Sequence, residues 1–275
     1  MATLYIVATP IGNLDDLSPR VARTLAEVDE VLAEDTRRAR QLLSHLGLAK
    51  KVHRLDAEVE RRDTPRWLER LAAGQSLAVV SDAGAPGVSD PGAALVRAAL
   101  AAGITVTPIA GPSAVTTALM ASGFSAERFR FFGFLPRAGA RRKEVLGEIR
   151  DTPEAVVFFE APGRLQATLT QLAGMAPERP VVVARELTKL HEELLVGSTA
   201  EVAATAEGRR FQGEITVVLG PRGEVAVERL TPEALDARIQ TLLAEGMRAK
   251  DVAKTLALDS GWGVREVYDR IHQRP

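Results

Sequence analysis

Loops rich in glycine, proline and acidic residues follow several apolar segments of this chain. The densest is SDAGAPGVSDPG, residues 81–92, which sets Asp82 and Asp90 among glycines and prolines. Glycine lets a backbone approach a ligand closely, and proline fixes the path of a loop. The loop predicts a small-molecule site with Asp82 as its main polar contact, because Asp90, placed before a proline, is equally suited to cap a helix.

Three further groups of residues could take part in chemistry. In the strand-to-helix turn 111–114, Ser113 either caps the helix or contacts a ligand. Glu34, Asp35 and Arg37 follow one apolar run, and Asp35 or Thr36 is expected to cap the next helix. Glu186 and Lys189 follow another run. Charged groups at strand ends indicate either a functional site or surface ion pairs, and these alternatives stay open at this point.

Several other classes of site are excluded or unsupported. The chain has no cysteine, which excludes disulfides, thiolate zinc sites and a cysteine nucleophile. Its four histidines show no metal-ligand spacing, so we predict no metal. None of the loops matches the dinucleotide-binding G-x-G-x-x-G, the phosphate-binding G-x-x-x-x-G-K-[ST] or the G-x-S-x-G nucleophile turn.

The elements that position these loops alternate between apolar runs and helices. Strands are predicted at 4–8, 31–33, 77–80, 104–109, 155–160, 181–185, 194–196 and 215–219. This alternation is typical of α/β domains with mainly parallel sheets, in which ligands bind at the carboxyl ends of strands. A break near 120–136 indicates a domain boundary. Helices predicted at 232–244, 249–256 and 264–271 resemble a helix-turn-helix module, although a small packing appendage is the simpler interpretation.

Charge is distributed unevenly along a chain whose formal net charge is −1. Residues 36–66 hold nine Lys and Arg against four Asp and Glu, and residues 128–150 hold seven against two. These basic segments predict either a polyanion-binding surface or ordinary solvated helices. No signal peptide and no membrane-spanning run is recognisable, so we expect a cytoplasmic protein without membrane contact.

Six of these segments, taken in order, resemble the ribosomal RNA small subunit methyltransferase I family. They are LYIVATPIGNL (4–14), AEDTR (33–37), VSDAGAPG (80–87), GPSA (111–114), GFLP (133–136) and ARELTK (184–189). Residues 161–164, APGR, depart from the Ser-Pro-His-Arg that is usual in the family. No catalytic histidine is therefore carried over.

The resemblance implies a two-domain, tetrapyrrole-methylase-like α/β fold of the class III methyltransferases with a small helical appendage. Its domains would span 1–123, 124–223 and 224–275, with S-adenosylmethionine in the cleft between the first two. It implies cofactor contacts from Pro10, Asp82, Gly84, Val88, Ser113 and Ala114 in the first domain and from Gly213, Glu214, Ile215 and Thr216 in the second. It also implies a homodimer.

The acceptor implied by the resemblance is the ribose 2′-hydroxyl of a cytidine near the decoding site of small-subunit ribosomal RNA, within the small subunit. Such a hydroxyl is a poor nucleophile and needs a proton acceptor. The candidate catalytic residues are Glu34, Asp35, Glu186 and Lys189, with Arg37 as a phosphate or carboxylate clamp. Two alternatives are a tetrapyrrole or diphthine-type methylase on the same scaffold and an RNA-binding module without activity.

Overall fold

The computed structural model describes residues 2–222, 230–257, 260 and 262–272. The chain divides into two compact units, 1–221 and 222–275. The first unit contains two five-stranded sheets, and the second contains helices only in the part that is described. The α/β class expected from the sequence is confirmed. No helix among the described residues is long and apolar enough to cross a membrane.

The first sheet is parallel throughout, in the order β3-β2-β4-β1-β5. Its strands are β1 (Thr3–Val7), β2 (Glu30–Ala33), β3 (Lys51–Arg54), β4 (Leu77–Val80) and β5 (Thr105–Ile109). The helices that connect them are α1 (Pro19–Glu27), α2 (Thr36–His45), α3 (Ala57–Ala72) and α4 (Ala93–Ala101), and α5 (Ala114–Ser122) follows β5. Because all five strands run the same way, the loops after them meet at one edge of the sheet.

Helix α3 contains a threonine followed by a proline, residues 64 and 65, a pair that is typical of a helix start. The helix nevertheless begins earlier, because Asp56 is its N-cap and accepts hydrogen bonds from the backbone N–H groups of residues 58 and 59. Pro65 lies inside the helix, where it removes one N–H donor. Burial of Trp67 and Leu71 against the first sheet keeps the helix continuous past the proline.

Helix α4 also begins elsewhere than expected, because Asp90 does not cap it. Its N-cap is Gly92, with φ of +130°, and no side chain of its own segment caps it. The buried carboxylate of Glu60 on α3 does so instead, accepting from the N–H groups of Gly92 at 3.1 Å and Leu95 at 2.9 Å. A side chain distant in sequence thus frees Asp90 for another role.

Replacing Glu60 with alanine should lower the free energy of unfolding by about 1–3 kcal/mol, because two buried N–H donors lose their acceptor. Glu60→Gln keeps an oxygen at the same position and should recover most of that loss. Urea unfolding of both variants measures the difference. Equal losses in the two would show that the side-chain oxygen does not stabilise the start of α4.

The second sheet has the order β6-β7-β10-β8-β9. Its strands are β6 (Phe129–Phe134), β7 (Ala155–Glu160), β8 (Pro180–Arg185), β9 (Glu193–Ser198) and β10 (Ile215–Leu219), with α6 (Gly139–Asp151), α7 (Leu165–Met175) and α8 (Thr199–Ala206) between them. Only β6 and β7 are parallel, whereas β10 is antiparallel to β7 and β8, and β8 to β9. The expectation of a mainly parallel sheet is therefore wrong for this half.

The two sheets share an apolar core, which places them in one compact unit. Val115, Ala118 and Leu119 of α5 are buried in a cluster with residues of β7, β8 and β10. The division of this unit at 123/124 remains a prediction. The predicted boundary at 223/224 lies outside the described residues.

The second unit contains α9 (Pro232–Ala244), α10 (Ala249–Ala257) and α11 (Val264–His272), which confirms the three predicted helices. Their apolar faces form one buried cluster of Leu235, Ile239, Val252, Ala253, Leu256 and Val267. The pair of Arg270 with Asp236, at 2.6 Å, joins α11 to α9. The resemblance to a helix-turn-helix module remains a prediction.

Candidate active site

A cavity of about 360 Å³, here called the main cavity, opens between the edges of the two sheets. The loops after β1, β4 and β5 meet it from the first sheet. The ends of β6 and β7 and the start of β10 meet it from the second, because β10 runs opposite to β7. Nine of the ten predicted cofactor residues line it: Asp82, Gly84, Val88, Ser113, Ala114, Gly213, Glu214, Ile215 and Thr216.

The tenth predicted cofactor residue, Pro10, lines a neighbouring cavity of about 370 Å³, here called the side cavity. Asp82, Arg38 and Glu214 line both cavities, so the two adjoin. Lys189 lines the side cavity only. The edge of the first sheet therefore offers two adjacent spaces, enough for two reactants.

Backbone pairing holds the 81–92 loop in place beneath the main cavity. Thr9 and Gly84 exchange hydrogen bonds of 2.9 and 3.0 Å, and the Ser81 hydroxyl donates to the Gly84 carbonyl at 2.8 Å. Gly84 has φ of +78°, which favours glycine. Ser89, at φ of +65°, adopts the same region without being glycine, and such strain concentrates at functional sites.

Asp82 and Ser113 have surroundings that the sequence did not reveal. One Asp82 oxygen accepts from the backbone N–H of Asp35 at 2.9 Å, and the other lies 3.9 Å from Arg38, so Asp82 joins the loop to α2 as well as facing the cavity. Ser113 occupies the N-cap position of α5, but its side chain makes no capping hydrogen bond. The capping interpretation of Ser113 is therefore wrong.

Two carboxyl groups near the main cavity hold protons more tightly than usual. Burial, together with the negative charges of Glu34 and Asp82, raises the pKa of Asp90 to about 6. Burial and the charge of Asp82 also raise the pKa of Glu34. Asp90 lines the main cavity, whereas Glu34 is not among the residues that line either cavity. Of the two, Asp90 is therefore the carboxyl group that lines the cavity and can exchange a proton near neutral pH.

Asp35 and Arg37 line neither cavity and pair with each other. Asp35 caps α2 by accepting from the Arg37 N–H, and its carboxylate forms an ion pair of 2.8 Å with the exposed Arg37 guanidinium. The hydrogen bond from the Arg37 side chain holds the pKa of Asp35 well below its usual range. The structure thus shows a local pair at the start of α2, and the catalytic roles expected for the two residues remain predictions.

Glu186 and Lys189 form an ion pair beside the side cavity. The Glu186 carboxylate accepts from Lys189 Nζ and from the Glu214 N–H, both at 2.8 Å, and Glu214 lies 3.3 Å from the same Nζ. Burial lowers the pKa of Lys189, but the bond to Glu186 and the charge of Glu214 outweigh it, so the pKa is raised. Burial raises the pKa of Glu186, yet the bonds from Lys189 and Glu214 lower it overall. Lys189 is therefore held in its charged form, and its catalytic role remains a prediction.

The loop that carries this pair is tightly constrained. Glu186 and Thr188 both have positive φ, at +53° and +65°, and the Asn13 N–H donates to the Thr188 hydroxyl at 3.1 Å. A Cβ on Gly12 would collide with Thr188 and Lys189. The 10–14 loop of the first half can contact this turn only because residue 12 is glycine.

Several residues that line the main cavity were not predicted to do so from the sequence. They are Ile11, Arg38, Phe134, Phe159, Glu160, Ala161 and Pro162. Glu160 ends a predicted strand just as Glu34 follows one, so the same signal could have found it. The others give no such signal, since only the fold brings them to the cavity.

The basic segments are largely neutralised by local pairs. In 36–66, Arg37, Arg54 and Arg62 pair with Asp35, Asp56 and Asp63. In 128–150, Arg141 pairs with Glu144, and Arg142 is buried against Thr168 and Gln171. Arg142 therefore belongs to the core, and the expectation of a polyanion surface is wrong for it.

Comparison with known proteins identifies the fold and the relatives of this chain. The model of the tetrapyrrole (corrin/porphyrin) methylases matches residues 3–203. Solved structures of similar fold include diphthine synthase, with TM-score 0.62 and 17% identity over 80% of this chain and 90% of that one. Another is the methyltransferase CobJ, with TM-score 0.61 and 22% identity over 84% and 98%. The predicted class III methyltransferase fold is confirmed.

Proteins called ribosomal RNA small subunit methyltransferase I are similar over nearly their whole length. The one from Halalkalibacterium halodurans is 40% identical over 274 residues, covering 98% of this chain and 95% of its own. The one from Xylella fastidiosa is 43% identical over 270 residues, covering 97% of each. The one from Mycobacterium tuberculosis is 43% identical over 280 residues, covering 98% and 94%.

The methyl donor of this class is S-adenosylmethionine, which confirms the expected cofactor. The main cavity fits it, since its walls are apolar at Ile215, Val115 and Phe159 and acidic at Asp82 and Glu214. Apolar walls suit an aromatic base, and carboxylates suit the sulfonium and ammonium charges.

On this sequence similarity and this fold, the chain belongs to the tetrapyrrole methylases and, among them, to the ribosomal RNA small subunit methyltransferase I family.

Proposed function

We propose that this protein transfers a methyl group from S-adenosylmethionine to small-subunit ribosomal RNA, at the ribose 2′-hydroxyl of a cytidine near the decoding site. The observation that carries the proposal is the pair of adjoining cavities, one suited to the cofactor and one beside it. The chain that forms them is about 40% identical to proteins called ribosomal RNA small subunit methyltransferase I. The proposal includes the assembled subunit as substrate and a homodimer as the working form.

The cofactor supplies an already activated methyl group, so the protein mainly positions the acceptor and removes its proton. With the cofactor bound in the main cavity, the protein would have to hold the acceptor oxygen beside the methyl group. A base on the protein would take up the hydroxyl proton as that oxygen is methylated. The side cavity, between Pro10 and Lys189, is the space available for the acceptor.

Asp90 best meets the requirements for that base. Lys189 is held in its charged form, and the oxygens of Glu186 and Asp35 are engaged by cations. Asp90 forms no ion pair with any described residue and lines the main cavity, which adjoins the acceptor space of the side cavity at Asp82. Its pKa of about 6 is close to the neutral range in which a base is most effective. We therefore add Asp90 to the expected candidates and place it before them.

The decisive test is transfer of labelled methyl from S-adenosylmethionine to small subunits that lack the modification. Nuclease mapping should locate the label, and resistance of one linkage to alkali should show that the 2′-oxygen carries it. Methyl on a base, or on a tetrapyrrole or protein substrate instead, would overturn the proposal. The likeness to diphthine synthase does not favour that alternative, because at 17% identity it shows the fold alone.

Gly84→Val tests the cofactor site within this proposal. Valine is strained at φ of +78° whatever space surrounds it, so the variant disfavours the loop conformation that lines the cavity. We expect S-adenosylmethionine affinity to fall by about 5- to 150-fold, the equivalent of ~1–3 kcal/mol of strain. Calorimetry measures it. Gly208→Val is the matched control, since its φ of +70° imposes similar strain at a residue that lines neither cavity. Equal loss in both variants would remove Gly84 from the site.

A further inference from the structure

A third cavity, here called the basic cavity, lies beside the main cavity in the second half of the first unit. It measures about 350 Å³, and its wall includes Arg137, Gly139, Arg142, Lys143, Gly163 and Arg164. Four of its lining side chains are cationic and none is a carboxylate. The charged side chains that line this space are therefore all positive.

Two of the four cations are already engaged by the protein. The Arg142 guanidinium donates to the Pro136 carbonyl and to Thr168 and Gln171, and Arg164 pairs with the buried Glu160 at 2.5 Å. These bonds fix the wall of the cavity. The other two cationic residues of the wall are Arg137 and Lys143.

Arg137 and Lys143 are exposed at the opening and make no ion pair or hydrogen bond with any described residue. Neighbouring Arg141 on the same helix differs, because it pairs with Glu144 at 2.8 Å. Between them, α6 begins at Gly139, and its N-cap, Ala138, offers no side-chain acceptor to the first N–H groups. The start of a helix and two free cations together attract an anion, above all a phosphate group.

The basic cavity and the main cavity share a wall. Pro162 lines the main cavity, and the next two residues, Gly163 and Arg164, line the basic one. Consecutive Cα atoms are about 3.8 Å apart, so this short backbone segment forms the wall between the two cavities. Phe134, three residues before Arg137, is 61% exposed and lines the main cavity, with its ring 5.3 Å from that of Phe159.

We propose that Arg137 and Lys143 bind a backbone phosphate of the RNA acceptor, one that flanks the nucleotide whose ribose enters the cleft. An exposed aromatic ring next to unpaired cations is typical of single-stranded RNA sites, in which bases stack and phosphates are neutralised. A phosphorylated protein would offer the two cations a phosphate but would offer the Phe134 ring no base to stack on. The inference rests on the proposed function, because it takes RNA as the substrate.

The test is the double variant Arg137→Gln, Lys143→Gln, with Arg141→Gln as the matched control on the same helix. Binding to unmodified small subunits should weaken roughly ten-fold, and the slope of log affinity against log salt should become about 0.7–0.9 less negative for one phosphate. KM for the subunit should rise by a similar factor. The kcat, the S-adenosylmethionine affinity and the melting temperature should stay at wild-type values.

The inference is overturned if the double variant matches Arg141→Gln in affinity and salt slope, or if the loss appears in kcat alone. These outcomes can be told apart from failure of the proposed function. Binding and its salt slope are measured without turnover, so they report on the cavity even if the wild-type protein transfers no methyl to the subunit. A lower melting temperature in the double variant alone would assign the two side chains a structural role and also reject the inference.

Discussion

Replacing Asp90 with asparagine should reduce turnover by about 10²- to 10⁴-fold, the contribution of a positioned general base. Asparagine keeps the size and polarity of the side chain but cannot take up a proton. S-adenosylmethionine affinity should change little, because Asp82 and Glu214 still line the cavity. Glu34→Gln is the matched control, since the Glu34 pKa is also raised while its side chain lines neither cavity, and it should cost less than about ten-fold.

The pH dependence gives a second measure of the same residue. Asp90 acts as a base only when ionised, so wild-type turnover should rise as the pH passes about 6 and level off above it. The folded-state pKa lies above the unfolded value, so Asp90 stabilises the fold fully at low pH and loses that effect as pH rises through about 6. At pH 8, Asp90→Asn should therefore melt at the wild-type temperature or above it. A large loss of cofactor affinity, or a wild-type turnover, would show that Asp90 is not the base.

Replacing Glu160 with alanine should lower the free energy of unfolding by about 3–5 kcal/mol, the usual result of breaking a buried ion pair. Its carboxylate is fully buried and accepts from Arg164, from the Thr168 hydroxyl at 2.7 Å and from the Ala161 N–H at 2.8 Å, with Arg142 at 3.6 Å. Without it, the buried Arg142 has no nearby negative charge among its described contacts, and one face of the main cavity loses its support.

Urea unfolding of Glu160→Ala beside Glu193→Ala tests that expectation. Glu193 also faces two arginines, Arg185 at 3.0 Å and Arg209 at 2.8 Å, but it is more exposed, so its loss should cost about 1 kcal/mol or less. Similar losses in the two variants would mean that burial does not strengthen the Glu160 network. Binding of S-adenosylmethionine to the folded fraction of Glu160→Ala would then show whether the cavity wall is still in place.

The apolar strands and several helix starts were predictable from the sequence because their signals are local. A strand such as β4 is buried on both faces and therefore appears in the sequence as a continuous run of apolar residues. Ser18 followed by Pro19 marks the start of α1, because the serine side chain caps the helix and proline suits its first position. Two of the four edge strands, β3 and β6, lack that signal. Residues 51–54, KVHR, form β3 only because β2 supplies its hydrogen-bond partners, and β6 likewise pairs with β7 along one side.

The glycine-rich loops also predicted a small-molecule site, because a backbone with positive φ, or one that closely approaches a ligand, requires glycine at particular positions. The assignment of individual side chains depended on contacts between residues distant in sequence. Glu60 caps α4 from another helix and so releases Asp90, and Arg37 is engaged by Asp35. Burial and neighbouring charge then set the pKa of Asp90, and neither is visible before the chain is folded. The sequence by itself thus determined most of the helices and strands, the loops and the family. Only the tertiary structure decided which acidic residues line the cavity and in which protonation state, because desolvation and Coulomb interactions act through space and not along the chain.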